Sequence, residues 1–175
     1  MPGSLARYDP RMTHDVVPPL CPIPGALVAP GAATAPFRPL LALDEIPPGT
    51  MRRVSFADLD LLVAHTSTGI VVTDDRCPHM AAPLSIGTLE GCVVGCVLHG
   101  ATFDLATGEA LAFPTTGGLD AAGTYRPARV PAGSPPKPEP SATKAHARAL
   151  TRTRRMRFYP ARVADGRLEA RVPVD

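Results

Sequence analysis

The stretch from Cys77 to Asp104, CPHMAAPLSIGTLEGCVVGCVLHGATFD, carries two matched pairs of cysteine and histidine. Cys77 and His79 form the first pair, in Cys-Pro-His, and Cys96 and His99 form the second, in Cys-Val-Leu-His. Each pair offers one thiolate and one imidazole, and both groups bind transition metals. The stretch therefore predicts a metal centre that is built from two loops.

Two kinds of centre use two cysteines and two histidines. A structural zinc takes this ligand set, but zinc modules usually pair like with like, as C-x₂₋₄-C followed by H-x₃₋₅-H. One class of [2Fe–2S] cluster holds one iron by two thiolates and the other by two imidazoles, so that each mixed loop would give one ligand to each iron. The mixed pairs favour the iron–sulfur interpretation over zinc.

The chain resembles the Rieske iron–sulfur family over about residues 38 to 113 and again over about 156 to 172. Pro83 matches the family's proline-bearing loop, Gly87 begins the return of the chain, and residues 103–109 match the family's FDLxTGE run. In one departure, Leu98 stands where many members place a tryptophan. The resemblance implies one [2Fe–2S] cluster per chain, with the ligands Cys77 and Cys96 on the inner iron and His79 and His99 on the outer iron.

Two absences predict the ferredoxin-type, low-potential branch of this family. Rieske proteins of respiratory and photosynthetic chains carry a disulfide between the two loops, and the corresponding positions here are Ala82 and Leu98. Those proteins also place a serine and a tyrosine as hydrogen-bond donors to the cluster. Ala101 and Phe103 occupy these positions, and neither side chain can donate.

The prolines predict the domain organisation. The 175 residues suggest one domain, and eleven of the 22 prolines fall in the first 48 residues while six fall between residues 127 and 140. Because proline removes backbone donors, we expect neither region to be packed. The prediction is a flexible extension over 1–37 and a Rieske domain over 38–175 that contains a proline-rich basic insertion over about 115–156. Within the insertion, residues 141–152 are predicted to form a short helix with Ser141 as its N-cap.

The fold class is predicted to be all-β. We expect a Rieske-type antiparallel β-sandwich or barrel with a small inserted cluster-binding subdomain over about 75–113, whose histidines reach solvent at the loop tips. An Asp165-Gly166 hairpin is predicted near the end of the chain. Four earlier short strands, separated by turn residues, are predicted over Pro39–Leu43, Met51–Phe56, Leu59–Thr66 and Gly69–Thr73.

The remaining cysteines, histidines and paired carboxylates lack ligand spacing. We expect Cys92 to be a buried thiol in an apolar strand and Cys21 to lie in the extension. The other histidines are interpreted as structural or solvated, and the acidic pairs as turn formers. These residues are His14, His65, His146, Asp58, Asp60, Asp74 and Asp75.

The resemblance implies a soluble one-electron carrier that is not an enzyme by itself and that passes electrons from a flavoprotein reductase to a terminal oxygenase. Three alternatives remain: the small subunit of a nitrite-reductase-like oxidoreductase, an oxygenase subunit, and a non-redox interaction module on the same fold. An oxygenase needs a mononuclear iron on a second, larger domain, for which the chain leaves no room. We find no secretory signal and no apolar run of about 18 residues, so we expect a cytoplasmic protein without a membrane span.

The net charge of +2 conceals a strong segregation of charge. Residues 126–157 contain nine lysines and arginines against the single acidic residue Glu139. This segment could be a solvated insert, fold back on the acidic remainder of the chain, or steer an acidic redox partner to the cluster. Nucleic acid is not expected as a partner, because no aromatic residue is interleaved within the basic run.

Overall fold

The computed structural model describes residues 17–56, 58–130, 132–135 and 141–173. Within them, twelve short strands form four antiparallel sheets, and one helix, α1 (Ala142–Leu150), follows the tenth strand. The strands are β1 (Phe37–Ala42), β2 (Met51–Phe56), β3 (Leu59–Thr66), β4 (Gly69–Asp74), β5 (Thr88–Glu90), β6 (Val93–Gly95), β7 (Thr102–Asp104), β8 (Ala110–Ala112), β9 (Gly118–Leu119), β10 (Tyr125–Arg126), β11 (Ala161–Ala164) and β12 (Arg167–Arg171). The sheet orders are β1-β12-β11, β2-β3-β4, β5-β6-β7-β8 and β10-β9.

The meander β2-β3-β4 lies between the two hydrophobic cores of the protein. Alternate residues of β3 point to opposite faces, so Leu62 and Ala64 enter the core around Phe103, while Leu61 and Val63 enter the core around Leu168. A strand that is buried on both faces reads as a continuous apolar run. This explains the unbroken LLVA sequence of β3, which the sequence analysis interpreted as a strand.

The sheet β1-β12-β11 covers one face of this meander. Strands β11 and β12 pair through the predicted turn, where Asp165 and Gly166 both have positive φ angles, 50° and 71°. A tight type I′ hairpin turn requires positive φ at both central residues, and Asp-Gly is among the sequences that adopt it most readily. The predicted Asp-Gly hairpin is confirmed.

The sheet β5-β6-β7-β8 is the predicted subdomain that carries both metal-binding loops. It has four strands. Gly87 lies so close to the Gly95 carbonyl that a Cβ atom at position 87 would overlap it. The need for this approach explains why a glycine begins the return of the chain.

The all-β fold class is confirmed, and two of the four early strands have the predicted bounds. Strands β2 and β3 agree residue for residue, β4 extends one residue further, and β1 begins two residues earlier than predicted. The turn 66–69 joins β3 to β4 as a hairpin, as expected. Antiparallel pairing of neighbouring strands accounts for this agreement, because short apolar runs joined by turn residues leave few alternatives.

The prediction that residues 1–37 are an unpacked extension is wrong for residues 17–36. Cys21 is buried, with its N–H donating to the Ile70 carbonyl at 2.9 Å, and the Ala29 N–H donates to the Phe158 carbonyl at 2.8 Å. Prolines between these positions need no donor partner, and small alanines fill the space against the sheets. Isolated bridges therefore hold a proline-rich segment that cannot form a regular strand; residues 1–16 lie outside the described residues.

The insertion over 115–156 packs at both of its ends. Thr153 and Met156 are buried, and the Thr153 N–H donates to the Leu119 carbonyl at 2.8 Å. Ser141 caps α1 through its hydroxyl, which accepts from the Lys144 N–H at 3.4 Å, as predicted. No residue of α1 is buried, in agreement with its alanine-rich sequence. Of the proline-rich part, residues 131 and 136–140 lie outside the described residues, and in the described chain no helix has the length and apolarity that a membrane crossing needs.

The Phe158 side chain is the best test of this packing. The Phe158 ring is fully buried. The backbone of Phe158 joins the segment 27–29 to β4 by two isolated bridges. We expect Phe158→Ala to lower the free energy of unfolding by about 3–5 kcal/mol, since the cavity cannot fully collapse. The matched control Tyr125→Ala removes an exposed aromatic ring and should change this free energy by less than about 0.5 kcal/mol in chemical denaturation. Equal losses for the two variants would contradict the packing.

Candidate metal centre

The two ligand-bearing loops have the same backbone turn. In the first loop, the Cys77 N–H donates to the Ala82 carbonyl at 2.7 Å, and the Ala81 N–H donates to the Cys77 carbonyl at 2.8 Å. In the second, the Cys96 N–H donates to the Ala101 carbonyl at 2.8 Å, and the Gly100 N–H donates to the Cys96 carbonyl at 3.0 Å. Each turn thus closes on the residues four and five positions after its cysteine.

The fourth position after each cysteine adopts a left-handed conformation. Gly100 has a φ of 62°, which glycine tolerates, and Ala81 has a φ of 58°, which costs a residue with a Cβ atom about 1–2 kcal/mol. The first loop therefore keeps a strained residue so that its turn matches the second. Such strain persists only where the surrounding structure determines the backbone.

Asp75 ties the start of the first loop to its end. Its carboxylate is almost fully buried and accepts hydrogen bonds from the Ser85 N–H at 2.7 Å and the Ser85 hydroxyl at 2.6 Å. Arg53 lies 3.7 Å from the same carboxylate. From the sequence, Asp75 is expected only to form a turn. A spacing of ten residues between Asp75 and Ser85 does not indicate that the two residues close the loop.

Arg129 and Thr115 of the insertion anchor the second loop. The Arg129 guanidinium donates to the Gly100 carbonyl at 2.8 Å and to the Phe113 carbonyl at 3.2 Å. The Thr115 N–H donates to the His99 carbonyl at 2.9 Å. Sequence reasoning missed both residues because it treated everything after residue 115 as separate from the site.

The structure brings the four predicted ligands together as a pair of thiols and a pair of imidazoles. The rings of His79 and His99 are 4.9 Å apart between centroids and nearly perpendicular, at 84°. The side chains of Cys77 and Cys96, both buried, interact directly. Each pair combines one residue from each loop.

The surroundings of Cys77 disfavour its charge in the absence of a metal. Burial raises the pKa of the Cys77 thiol to about 11, and the neighbouring Cys96 adds to this rise, while hydrogen bonds from the backbone of His79 and Met80 oppose it. The same backbone donors would stabilise a thiolate that is bound to a metal. Without a metal, the Cys77 thiol therefore keeps its proton, and a bound cation would stabilise its thiolate.

The His79 ring has one nitrogen without a partner. Within the described residues, Nδ1 of His79 and Oγ1 of Thr153 are the buried side-chain polar atoms that lack a hydrogen bond. The other ring nitrogen of His79, Nε2, lies 3.3 Å from the Thr116 hydroxyl. If Nε2 carries the proton and donates it to Thr116, the lone pair of Nδ1 is left free to bind a metal.

The expectation that both histidines reach solvent is wrong for His79. Its exposed fraction is 7%, whereas His99 is half-buried. Thr116, Gly117 and α1 lie beside His79 around a cavity of about 200 Å³. Burial lowers the pKa of His79, and the neighbouring His99 lowers it further, so the ring is neutral near neutral pH. The insertion thus covers one of the two imidazoles.

The other residues singled out in the sequence lie as follows. Ala101 and Phe103 are buried in the core beneath the loops, and Leu98 is exposed. Cys92 is half-buried rather than buried, because it contacts the hydroxyls of Ser67 and Thr68 at the surface, and these contacts lower its pKa. His65 bonds to the Ile46 carbonyl at 2.8 Å, His146 is exposed on α1, and His14 lies outside the described residues.

Comparison with known proteins gives a consistent answer. Residues 37–125 match the Rieske [2Fe-2S] domain. The chain is 41% identical over 76 residues to the ferredoxin component of the naphthalene 1,2-dioxygenase system of Pseudomonas aeruginosa, which covers 43% of this chain and 73% of that protein. It is 39% identical over 74 residues to the ferredoxin component of naphthalene 1,2-dioxygenase/salicylate 5-hydroxylase systems from Ralstonia sp, covering 42% of this chain and 71% of the relative.

Solved structures share the fold. The ferredoxin of Sphingomonas yanoikuyae B1 superposes with a TM-score of 0.54 at 22% identity, covering 79% of this chain and all of that chain (100%). A chain from the complex of reduced oxygenase and oxidised ferredoxin in carbazole 1,9a-dioxygenase superposes with a TM-score of 0.50 at 24% identity, covering 77% of this chain and 92% of its own. The match of residues 37–125 and the 41% identity to a ferredoxin component show that the chain belongs to the Rieske [2Fe-2S] domain family.

Proposed function

We propose that this protein is a one-electron carrier of the ferredoxin type, acting between a flavoprotein reductase and a terminal oxygenase. Its relatives at 41% and 39% identity are ferredoxin components of dioxygenase systems. These relatives favour a carrier over an oxygenase subunit, a nitrite-reductase-like subunit or a non-redox module. Since these relatives are electron-transfer components of larger systems, the protein is an electron-transfer component and not an enzyme by itself.

The proposed ligands of the [2Fe–2S] cluster are Cys77 and Cys96 on one iron and His79 and His99 on the other. The direct interaction of the two thiols and the 4.9 Å separation of the two rings support this division. Two thiolates with two imidazoles form the ligand set of a Rieske centre. The donor set and its arrangement in space therefore fit the group.

The observation that carries the proposal is the unpartnered Nδ1 atom of His79. A buried nitrogen without a hydrogen bond costs about 1–3 kcal/mol, a cost that a metal bond removes. The Thr116 hydroxyl holds the opposite nitrogen, so the ring is already oriented. A core histidine that served only packing would gain nothing from this arrangement.

When bound, the cluster supplies a one-electron couple whose potential depends on hydrogen bonds and burial. The surrounding chain offers few side-chain donors, since Ala101 and Phe103 have none. Backbone donors from His79 and Met80 reach the Cys77 sulfur. With so few side-chain donors, the reduced, more negative state of the cluster would be only weakly stabilised.

We place this carrier in the cytoplasm. None of the four cysteines is in a disulfide, which suits a reducing compartment. A reduced carrier also needs free diffusion between its two protein partners. Fractionation of cells that produce the full-length chain tests this location.

Replacing a predicted ligand tests the proposed site. We expect the purified protein to contain about one [2Fe–2S] cluster, and His79→Cys or His99→Cys to shift its absorption spectrum toward that of a four-thiolate ferredoxin or to lose the cluster. His146→Cys, on the exposed face of α1, is the matched control and should keep the original spectrum. Zinc without iron or acid-labile sulfide, in aerobic and anaerobic preparations alike, would contradict the proposal.

The reduction potential tests the low-potential assignment. We expect about −150 mV, nearly independent of pH around neutrality, because no side chain at positions 101 and 103 donates to the cluster. Film voltammetry on the purified protein measures it. A value above about +100 mV would mean that backbone donors alone replace the missing hydroxyls.

The Thr116 hydroxyl is expected to tune this potential through His79. A hydroxyl that accepts from Nε2–H makes the imidazole a stronger donor and favours the oxidised state. Thr116→Val should therefore raise the potential by about 20–40 mV, the equivalent of about 0.5–1 kcal/mol for one electron. Thr116→Ser keeps the hydroxyl and should restore the original value; an unchanged potential in the valine variant would remove Thr116 from the site.

A further inference from the structure

A groove beside the first ligand loop is lined by five arginines. It has a volume of about 420 Å³ and runs along Cys77, Pro78 and His79. One acidic residue, Asp74, also lines the groove. Its carboxylate accepts a hydrogen bond from the Tyr159 hydroxyl at 2.5 Å. The arginines are Arg76, Arg152, Arg154, Arg155 and Arg157.

None of these five arginines forms an ion pair with any residue that the structure describes. The ion pairs in that part of the chain use Arg52, Arg53, Arg126 and Arg162. Among the described residues of the basic segment 126–157, only Arg126 is in an ion pair, with Asp120 at 3.0 Å. The positive charge of the five groove arginines is therefore not neutralised by ion pairs with described residues and is available to a second molecule.

The groove is held rigidly. Exposed Arg152, Arg154 and Arg155 alternate with buried Thr153 and Met156. The Arg154 N–H also donates to the Pro78 carbonyl at 2.9 Å, which ties the segment to the ligand loop. A preorganised surface loses less conformational entropy on binding than a flexible arm does.

An exposed methionine lies at the border of the groove. Met80 is 58% exposed and lines both this groove and the smaller cavity beside α1, which Lys144 and Arg148 also line. The second ligand loop adds Val97 and Leu98, 58% and 57% exposed. Methionine and arginine are enriched in protein interfaces, where an apolar centre is surrounded by a polar rim. By contrast, no exposed aromatic ring lines the groove for base stacking, as single-stranded nucleic acid would need.

We propose that this arginine groove is the docking surface for an acidic protein, the redox partner of the carrier. The proposal rests on the proposed function, since the groove adjoins the cluster only if Cys77 and His79 are cluster ligands. Charge complementarity would steer the acidic partner to the loop that holds the cluster and fix its orientation there. The exposed side chains of Met80, Val97 and Leu98 would then pack against the partner as water leaves the interface.

The test is binding to two redox proteins of opposite charge at low ionic strength. The probes are the soluble domain of cytochrome b5, which is acidic, and cytochrome c, which is basic, each titrated against the full-length protein by isothermal titration calorimetry. We expect cytochrome b5 to bind and Arg154→Glu/Arg155→Glu to weaken its affinity by about tenfold or more. The difference should vanish near 1 M salt, where screening acts within about 3 Å.

The matched control is Arg38→Glu/Arg167→Glu, which makes the same change in net charge on the sheet β1-β12-β11. It should weaken binding much less than the groove variant does. Equal weakening by both variants, no binding of cytochrome b5, or tighter binding of cytochrome c or of a single-stranded DNA oligonucleotide would each overturn the proposal.

Iron and acid-labile sulfide are measured on every sample, which separates this proposal from the proposed function. If the protein contains a full cluster but its binding does not depend on the groove, the proposed carrier function stands and the proposed docking surface is wrong. If the protein contains no iron but still binds cytochrome b5 through the groove, the proposed carrier function is wrong and the groove is still a binding surface for an acidic protein.

Discussion

The hydrogen-bonded turn that begins at each cysteine is the constraint on which the rest of the site depends. Two thiols and two imidazoles from separate loops can come together only if the two loops have matching backbone conformations. The shared bonds from Cys77 to Ala82 and from Cys96 to Ala101 provide this match. The four-stranded sheet beneath both loops supplies a rigid base. Each turn also contains one residue in the left-handed conformation, Ala81 or Gly100. The ligands thus lie on loops whose positions are as fixed as those of strands.

Much of the fold could be predicted because it rests on local signals. The bounds of β2 and β3, the Asp165-Gly166 hairpin and the Ser141 cap follow from strand propensity, turn chemistry and capping. The ligand spacing in the two loops gave the family. Each of these features depends on residues that are close together in sequence.

The parts that could not be predicted depend on contacts between distant residues. Proline content alone gave no means to foresee that Cys21 would bond to Ile70, or that Thr116 would approach His79 across 37 positions. The role of Asp75 likewise required the position of Ser85 in space. A proline-rich segment can pack through isolated bridges and small side chains, and neither leaves a periodic pattern in the sequence.

The burial of His79 gives the two sides of the site different access. The residues that cover it, Thr116 and α1, come after both ligand loops in the chain, so during synthesis the loops emerge uncovered. In the folded protein the cover is in place, and His99 is the more open of the two rings. Of the two imidazole rings, that of His99 is therefore the one that small molecules in solution contact more readily in the folded protein.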